Sequence, residues 1–189
     1  QKMKEAPGKK IVAVLGAAHV PGITREMHNE HDLTRLTKLP AKSKAPKLIG
    51  WAIPVIILAA IIYTFISNPS DGWQSTLSWI LWNGSLAGIG AIAALGHPVT
   101  VITAFLAAPI TSFIPMLAAG WFAGIVQALL NKPKISDFEA LAEDVHSVKG
   151  FWSNKVTRIL LVVVLTNLGS TLGTLIGGAD VVRLFFENL

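Results

Sequence analysis

The chain has 189 residues, of which 52% are hydrophobic and only 14% are charged. About a quarter of the residues are charged in an ordinary soluble domain, so this composition excludes that class. The sequence contains no cysteine, which excludes disulfides, thiol catalysis and cysteine-bound metals.

The positive charge of the chain is concentrated at its N-terminal end. Residues 1–47 contain ten Lys and Arg and four Asp and Glu, so they carry +6, whereas the remainder carries −1 and the whole chain +5. This basic segment contains no aromatic side chain on which a base could stack. The pattern predicts a basic tail beside a membrane and no nucleic-acid partner.

One N-terminal stretch differs from the rest of the chain: KIVAVLGAAHVPGITREM. Residues 11–15 within it form a short apolar run rich in β-branched side chains, which predicts a strand buried on both faces. A glycine-rich turn with His19 follows, and then the start of a helix. Residues 24–47 continue as a basic connector, in which Pro40 and Pro46 end the helix before the membrane.

Two further histidines of this connector, His28 and His31, are spaced i, i+3 and lie next to Glu30 and Asp32. Two such imidazoles could share a helix face and bind a metal together with a third ligand. Because no third ligand is identified, we interpret this segment as a solvated polar linker.

The first apolar segment is residues 48–66, which contain no charged side chain. As a helix they would be about 28 Å long, which is one crossing of a bilayer. Trp51 and Tyr63 lie near the two ends, as interfacial anchors do. The loop that follows, residues 67–72, has no Lys or Arg. Because the basic segment precedes this span, the positive-inside rule predicts a cytoplasmic N-terminus for a multi-pass protein of the cell membrane.

Glycines recur at every fourth position in two other apolar segments. They are Gly84 and Gly88 in residues 73–95, and Gly169, Gly173 and Gly177 in residues 156–178. Small residues at this spacing let helix backbones approach closely. The face at residues 169–177 is therefore predicted to pack against another helix. That helix is either another span of the same chain, above all the one with Gly84 and Gly88, or the same span of a second copy.

Residues 97–130 form an apolar segment that is too long for one crossing and barely long enough for two. Pro109 and Pro115 interrupt it, and each proline removes a backbone donor and disfavours helix just before it. We expect two half-length helices that meet at this point. Thr111 and Ser112 are expected to satisfy the backbone groups that the break leaves free.

A polar connector separates the half-length helices from the last span. Its basic side chains are Lys132, Lys134, Lys149, Lys155 and Arg158. They predict that the connector lies on the same side as the N-terminus. An odd number of crossings must then separate it from Asp71, so both half-length helices are expected to cross. Ser136 and Glu139 fit a capping box. They predict an amphipathic helix over residues 135–150, on the membrane surface or on a neighbouring subunit.

The central parts of the apolar segments carry no Asp, Glu, Lys or Arg, which pumps and proton-coupled transporters usually need. The polar side chains there are neutral: Asn83, Gln127, Asn167, Ser170, Thr171 and Thr174. Such groups more often bond helix to helix than carry ions, although proline-broken helices also occur in transporters. His97 is interpreted as an interfacial residue or helix boundary, with a proton relay as the alternative.

The stretch GAAHVPG, residues 16–22, resembles a known family. A strand followed by Gly-x-x-His is similar to the closing motif of the soluble domain in the TraB/PrgY (pheromone shutdown) family, which is related to the Tiki and GumN proteins. Three further blocks resemble the C-terminal region of that family in order and spacing: residues 97–124, 132–145 and 150–174. The resemblance covers essentially the whole chain.

The resemblance implies a longer protein with a large cytoplasmic α/β domain before residue 1, of which residues 1–47 would be a remnant and linker. In Tiki-like proteins a pair of Gly-x-x-His motifs, with separate Glu and Arg residues, is linked to a metal-dependent peptidase site. A divalent metal and a peptide substrate are therefore implied for the longer protein. Only Gly16 and His19 carry over to this sequence, so we expect no peptidase activity from this chain alone.

These observations predict an all-α polytopic membrane protein with about five hydrophobic helical segments, two of them short and broken by proline. Residues 48–189 form its transmembrane domain, whose partners are the lipid bilayer and further copies of the chain. The role that these observations favour is to anchor, and to oligomerise, a cytoplasmic TraB/Tiki-like peptide-processing domain. A substrate-conducting pore and a structural dimerisation module remain as alternatives. The family name implies control of peptide-pheromone signalling.

Overall fold

The computed structural model describes residues 7, 10, 12–27, 29, 38 and 45–189. Wherever these residues form regular structure it is helical, and no strand occurs among them. The chain divides into two compact units, Gln1–Ser43 and Lys44–Leu189. The fold of the described residues is therefore all-helical, as the sequence predicted.

In the first unit, one turn of 3₁₀-helix, Ala17–His19, leads into helix α1, Val20–Glu26. Residues 12–15 before it form no regular element, and the side chain of Val14 is 96% exposed. The predicted strand is therefore wrong for the part of it that the structure describes. A strand is held by backbone hydrogen bonds to a neighbouring strand, and no described segment supplies one.

Five apolar helices make up most of the second unit, and two of them have the half-length that the sequence predicted. They are α2 (Ala45–Ser67), α3 (Pro69–Ala93), α4 (Pro98–Thr111), α5 (Ala119–Leu130) and a long last helix, Lys155–Glu187. Among the described residues, two helices are long and apolar enough to cross a membrane, Leu48–Ser67 and Lys155–Glu187.

Helices α2 and α3 are joined by a tight turn. Asn68 is the N-cap of α3, where its Oδ1 accepts from the backbone N–H of Ser70 at 3.1 Å, and Pro69 fits the first helical position. A Cβ at Gly72 would lie 2.6 Å from Cα of Phe65, so this turn requires glycine. The two helices therefore fold back on each other directly after α2 ends.

Three short helices connect α5 to the last helix: α6 (Ile135–Glu139), α7 (Leu141–Asp144) and α8 (Val148–Ser153). The last helix, Lys155–Glu187, is therefore α9. The prediction of one amphipathic helix over residues 135–150 is wrong. The predicted capping box of Ser136 and Glu139 does not form either: the carboxylate of Asp137 accepts from the backbone N–H of Lys134 at 2.6 Å, and the helix begins two residues earlier than predicted.

The side chain of Asn154 gives the physical reason for the broken connector. Its Nδ2 donates to the carbonyl of Asp137 at 2.7 Å and to the carboxylate of Asp144 at 2.8 Å. Its Oδ1 accepts from the backbone N–H of Val156 at 2.9 Å and so caps α9. In one continuous helix Asp137 and Asp144 would lie about 10 Å apart along the axis, too far for one amide to reach both.

The closest helix pair is α3 and α9, which run antiparallel. Gly169 meets the carbonyl of Leu86, and a Cβ at Gly173 would lie 2.5 Å from Cα of Asn83. Gly177 continues the same face. Because glycine has no side chain, the two backbones can approach closely. The glycine face of α9 is therefore covered by α3 of the same chain.

Gly84 and Gly88 of α3 face α4 instead of α9. A Cβ at Gly84 would lie 2.8 Å from the carbonyl oxygen of Phe105, and the nearest atom to one at Gly88 is Cγ1 of Val101 at 3.7 Å. The α9 glycines thus pack against the helix that bears Gly84 and Gly88, as predicted. They contact a different face of that helix from the one on which Gly84 and Gly88 lie.

Helices α4 and α5 form a hairpin that enters the bundle and leaves it at the same end. Oε1 of Gln127, near the end of α5, accepts from the backbone N–H of His97 at 2.8 Å and from the hydroxyl of Thr100 at 2.9 Å. The end of α5 therefore lies beside the start of α4. The two half-length helices therefore return the chain to the end at which it entered, as two crossings would, and the expectation that both cross a membrane stays a prediction.

Two hydrogen bonds identify the segments that share an end of the bundle. Nε1 of Trp152 donates to the carbonyl of Ala93 at 2.9 Å, so the connector lies where α3 ends and the hairpin begins. Nδ2 of Asn188 donates to the carboxylate of Asp71 at 2.9 Å at the opposite end. Between Asp71 and the connector, the chain therefore runs from one end of the bundle to the other through α3, and the hairpin starts and ends at the end that holds the connector.

The second unit carries small and polar side chains inside and large apolar side chains outside. Alanines of α3, α4 and α5 are fully buried, together with Asn83 and Gln127. Along α9, one row of large side chains is 52–65% exposed: Leu160, Val164, Leu168, Leu172 and Leu175. This distribution is the reverse of the one found in soluble proteins.

Candidate functional site

The largest group of polar side chains in the second unit surrounds Asn83, which α3 places inside the bundle at 0% exposure. Its Nδ2 donates to Oγ of Ser112 at 3.0 Å and to Oγ1 of Thr174 at 2.9 Å, and its Oδ1 accepts from the hydroxyl of Ser170 at 2.9 Å. We call these four residues the Asn83 cluster. It joins α3, α9 and the tip of the hairpin.

Three oxygens of the Asn83 cluster lie within hydrogen-bonding distance of one another. Oγ of Ser112 is 3.2 Å from Oγ of Ser170 and 3.3 Å from Oδ1 of Asn83. With the contact between Ser170 and Asn83 at 2.9 Å, they form a nearly equilateral triangle. Oγ1 of Thr174 is 3.5 Å from Oγ of Ser112 and lies at the edge of this triangle.

Ser112 reaches the cluster because it is the C-cap of α4. Its hydroxyl also lies 2.8 Å from the carbonyl of Ala108, one turn earlier. The hydroxyl of Thr111 donates instead to the carbonyl of Ala107 at 2.9 Å, so it binds its own helix and not a member of the cluster. Both hydroxyls thus bond to carbonyls one turn earlier in α4, and the carbonyl of Ala108 also accepts from the backbone N–H of Ser112 at 3.1 Å.

The two prolines of the broken segment have different surroundings. Pro109 is buried within α4, and its carbonyl accepts from Nε1 of Trp79 at 3.1 Å. Pro115 is exposed in the turn at residues 112–118, next to Met116, which is 77% exposed. Trp79 is 2% exposed, so it is a core residue that binds the broken helix.

A second polar group lies at the open end of the hairpin and consists of Gln127, Thr100 and the backbone of His97, described above. Thr100 and Ser112 stand at opposite ends of α4, about 18 Å apart along its axis. The buried residues of α4 between them are Ala104, Ala108, Pro109 and Thr111. Of these, Thr111 has the only polar side chain, and its hydroxyl is bonded to its own helix. The two polar groups are therefore separated by a largely apolar layer.

The start of α5 is held by α9. Oδ1 of Asn167 accepts from the backbone N–H of Gly120 at 2.8 Å, which supplies a cap for a helix whose own N-cap, Ala118, has none. Thr171, one turn later, is exposed and donates to the carbonyl of Asn167 at 2.8 Å. Asn167 therefore bonds between helices, whereas Thr171 bonds within its own.

Charged side chains occupy the ends of the bundle. Helix α9 carries no charge between Arg158 and Asp180. Arg158 binds the carbonyl of Trp152 through Nε at 2.8 Å, and Asp180 accepts from the hydroxyl of Ser78 at 2.8 Å. The Asn83 cluster thus lies in a neutral region between two charged ends.

Two buried hydroxyls of the described residues have no hydrogen-bond partner, those of Ser75 and Thr166. Thr166 is fully buried and precedes Ser170 by one helical turn, so the two share a face of α9. Unpaired buried polar atoms are rare in native structures and call for an explanation such as a water or an ion.

The predicted metal motif lies in the first unit, where Gly16 precedes the 3₁₀ turn that contains His19. The side chain of His19 is exposed. Among the described residues there is no group of three His, Asp or Glu side chains that could hold a metal ion. His28 and His31 lie outside the described residues. The residues that the structure describes do not fit a divalent metal without further ligands.

The structure brings together four residues that the sequence identified separately: Asn83, Ser112, Ser170 and Thr174. The sequence analysis did not identify Thr100, Trp79 or Asn154 as binding partners. Thr100 and Trp79 lie in apolar segments where a polar atom needs a partner, which is the signal that could have found them.

A family model described as "TraB family protein, C-terminal domain" matches residues 45–186. A curated relative, "Uncharacterized protein MJ1365" from Methanocaldococcus jannaschii, is 34% identical over 174 residues. The alignment covers 86% of this chain and 44% of the relative, so the chain spans less than half the length of that relative. No solved structure matches the chain.

Proposed function

Because the chain belongs to the TraB family, through the C-terminal domain at residues 45–186, we propose that it is the membrane-anchoring part of a longer protein. In this proposal α2, α3 and α9 cross the bilayer, and the α4–α5 hairpin enters it and returns. The N-terminus lies in the cytoplasm, where it would continue a TraB/Tiki-like domain.

The observation that carries this proposal is the reversed distribution of side chains in the second unit. In water, each large side chain of the exposed row of α9, from Leu160 to Leu175, would add roughly 1 kcal/mol of unfavourable hydration free energy. In a bilayer the same row is solvated by lipid tails, and packing of small residues holds the helices together. The windows of α2 and α9 that are apolar enough to cross are only 28% and 22% buried, unlike core helices of soluble proteins.

The length of α9 supports the same proposal. Its charge-free part, residues 159–179, is about 31 Å long as a helix, close to the thickness of a hydrocarbon core. Arg158 and Asp180 bracket this part. The remaining turns, with Arg183 and Glu187 in an i, i+4 ion pair at 3.5 Å, would lie in the headgroups or in water.

The orientation follows from the basic connector and from the ends of the bundle. Lys132, Lys134 and Lys149 are exposed near the end where α3 finishes. The opposite end holds Asp71 and has no Lys or Arg in the loop between α2 and α3. The positive-inside rule therefore favours a cytoplasmic connector, on the same side as the basic N-terminal segment.

The experiment that tests this arrangement uses single cysteines, since the chain has none of its own. Ser70→Cys and Ala142→Cys lie at exposed positions near opposite ends of the bundle. We expect a membrane-impermeant maleimide to label position 70 from outside intact cells and position 142 only in inverted vesicles. The cysteine-free chain is the control. Labelling of both positions from one side would overturn the topology, and extraction of the chain by alkaline carbonate would overturn the membrane assignment.

A pore is the second candidate, because a broken hairpin that carries polar groups is also a feature of transporters. The apolar layer between the two polar groups of α4, with Ala104 and Ala108 at 0% exposure, favours the anchor. The absence of charge between Arg158 and Asp180 favours it as well. Ion flux through liposomes that contain the purified chain would support the pore.

For the longer protein, we propose that the anchored domain acts on peptides, as the resemblance to pheromone-shutdown and Tiki-like proteins implies, and that it assembles with copies of itself. Because α3 already covers the glycine face of α9, such an assembly would use another surface. Crosslinking through single cysteines on the exposed row of α9, for example Leu168→Cys and Leu172→Cys, tests one such surface. Crosslinked dimers are expected only if that row faces a second copy.

A further inference from the structure

The Asn83 cluster collects neutral oxygens at a place where a helix is broken inside an apolar bundle. The triangle formed by Asn83 Oδ1, Ser112 Oγ and Ser170 Oγ has edges of 2.9, 3.2 and 3.3 Å. We propose that this cluster binds a small monovalent cation of the size of Na⁺. The proposal is independent of the anchoring role, because a passive anchor needs no bound ion.

The spacing of the oxygens suits a cation of this size. Na⁺ and Ca²⁺ have nearly the same radius, and oxygens that bind such an ion at about 2.4 Å lie about 3.4 Å apart when their bonds are at right angles. The triangle therefore needs to widen by only a few tenths of an ångström. Oγ1 of Thr174 is 3.5 Å from Oγ of Ser112 and is the nearest candidate for a fourth ligand among the members of the cluster. The larger K⁺ would require wider spacing.

The hydroxyl hydrogens of the cluster have other acceptors to turn to. The hydroxyl of Ser112 is already 2.8 Å from the carbonyl of Ala108. The hydroxyl of Ser170, which donates to Asn83 Oδ1, can instead donate to the carbonyl one turn earlier in α9, as serines in membrane helices do. After these two rotations Asn83 Nδ2 still donates to Ser112 Oγ at 3.0 Å and to Thr174 Oγ1 at 2.9 Å. A hydroxyl oxygen has two lone pairs, so each of these oxygens keeps one for the ion.

The electrostatics of the hairpin tip favour a single positive charge. Ser112 is the C-cap of α4, so the cluster lies at the end of a helix where unpaired carbonyls give a partial negative charge. The start of α5, which has the opposite polarity, is capped by Asn167 Oδ1 at 2.8 Å. No carboxylate belongs to the cluster, so a divalent ion would remain uncompensated in a medium of low dielectric constant.

Thr166 is the next polar side chain along the face of α9 that carries Ser170. The hydroxyl of Thr166 is buried and unpaired, one turn from Ser170 on the same face of α9. Ser112 and Thr174 are half-buried, whereas Asn83 is fully buried.

The test compares the melting of the purified full chain in detergent in NaCl, KCl and choline chloride at equal ionic strength. With Na⁺ about tenfold above its Kd, we expect a rise in Tm of about 3–6 °C over choline. KCl should give a smaller rise. Ser170→Ala should abolish the rise, because it removes one oxygen of the triangle. The matched control is Thr171→Ala, whose hydroxyl is exposed and bonded to its own helix, and it should keep the full rise.

Direct binding of radiolabelled Na⁺ to the wild-type chain decides the question if Ser170→Ala fails to fold. Saturable binding that excess NaCl displaces and choline chloride does not displace would support the proposal. Equal melting of the wild type in all three salts, together with no saturable binding, would overturn it. Binding by Ser170→Ala at the wild-type level would also overturn it, since the site would then lie elsewhere.

Discussion

Replacing Gly173 by alanine tests the closest contact of the fold. The new Cβ would lie 2.5 Å from Cα of Asn83 and 2.7 Å from the carbonyl oxygen of Trp82. Both atoms belong to the backbone of α3, so no side chain can move aside to relieve the clash. Helices α3 and α9 must therefore separate by about 1 Å to restore ordinary contact distances near 3.5–4.0 Å.

The expected cost has two parts. Overpacking of a tight core costs about 1–3 kcal/mol, and weakening the hydrogen bonds of Asn83 to Ser170 and Thr174 adds about 0.6 kcal/mol each. The sum, roughly 2–4 kcal/mol, corresponds to a fall in Tm of roughly 5–15 °C for a chain of this length.

The assay is thermal melting of the detergent-solubilised chain, followed by tryptophan fluorescence together with the mass of the particle. Gly88→Ala is the matched control, because the nearest atom to its new Cβ is 3.7 Å away, and its Tm should stay close to that of the wild type. The reasoning is refuted if Gly173→Ala melts like the wild type, or if Gly88→Ala is equally damaging. Loss of a dimer without a change in the monomer's melting would instead place the Gly173 face between two copies.

Three other predictions follow from the contacts of the second unit and from the motif in the first. Gln127→Leu should lower the stability by about 1–3 kcal/mol in a melting experiment, because it leaves the buried hydroxyl of Thr100 unpaired; the exposed Gln74→Leu is the control and should be neutral. Asn154→Ala should make the connector more sensitive to limited proteolysis than the wild type, and equal digestion would contradict its role. The purified chain should not cleave peptides when divalent metals are added, since one Gly-x-x-His supplies too few ligands; metal-stimulated cleavage that His19→Ala abolishes would contradict this.

The sequence by itself determined which segments are apolar helices and where the half-length pair is broken. Hydropathy and proline act locally: Pro115 lies in the break at residues 112–118, although α4 runs through Pro109 to Thr111. The sequence also singled out the four members of the Asn83 cluster, but separately. Asn83, Ser170 and Thr174 were neutral polar groups expected to bond helix to helix, and Ser112 was expected to bind backbone groups at the break. The family resemblance rested on the same local patterns and was confirmed by the match over residues 45–186.

The tertiary structure decided how these elements meet. The bond between Gln127 and the backbone of His97, thirty residues apart, holds the end of α5 beside the start of α4, and no local pattern in the sequence shows this contact. The predicted strand at residues 11–15 and the predicted helix at residues 135–150 had suitable local patterns. The first lacks a neighbouring strand among the described residues, and the second is broken because Asn154 binds two of its turns.

The two packed faces of α3 also show what the sequence can predict and what only the tertiary structure decides. The spacing of Gly84 and Gly88 indicated close helix packing, but it could not tell whether α4 or α9 lies against them. In the structure they meet Phe105 and Val101 of α4, while the α9 glycines lie against another face of α3. A glycine permits a close approach from any helix that reaches it, so the choice of partner is made by the side chains and loops around it and not by the motif.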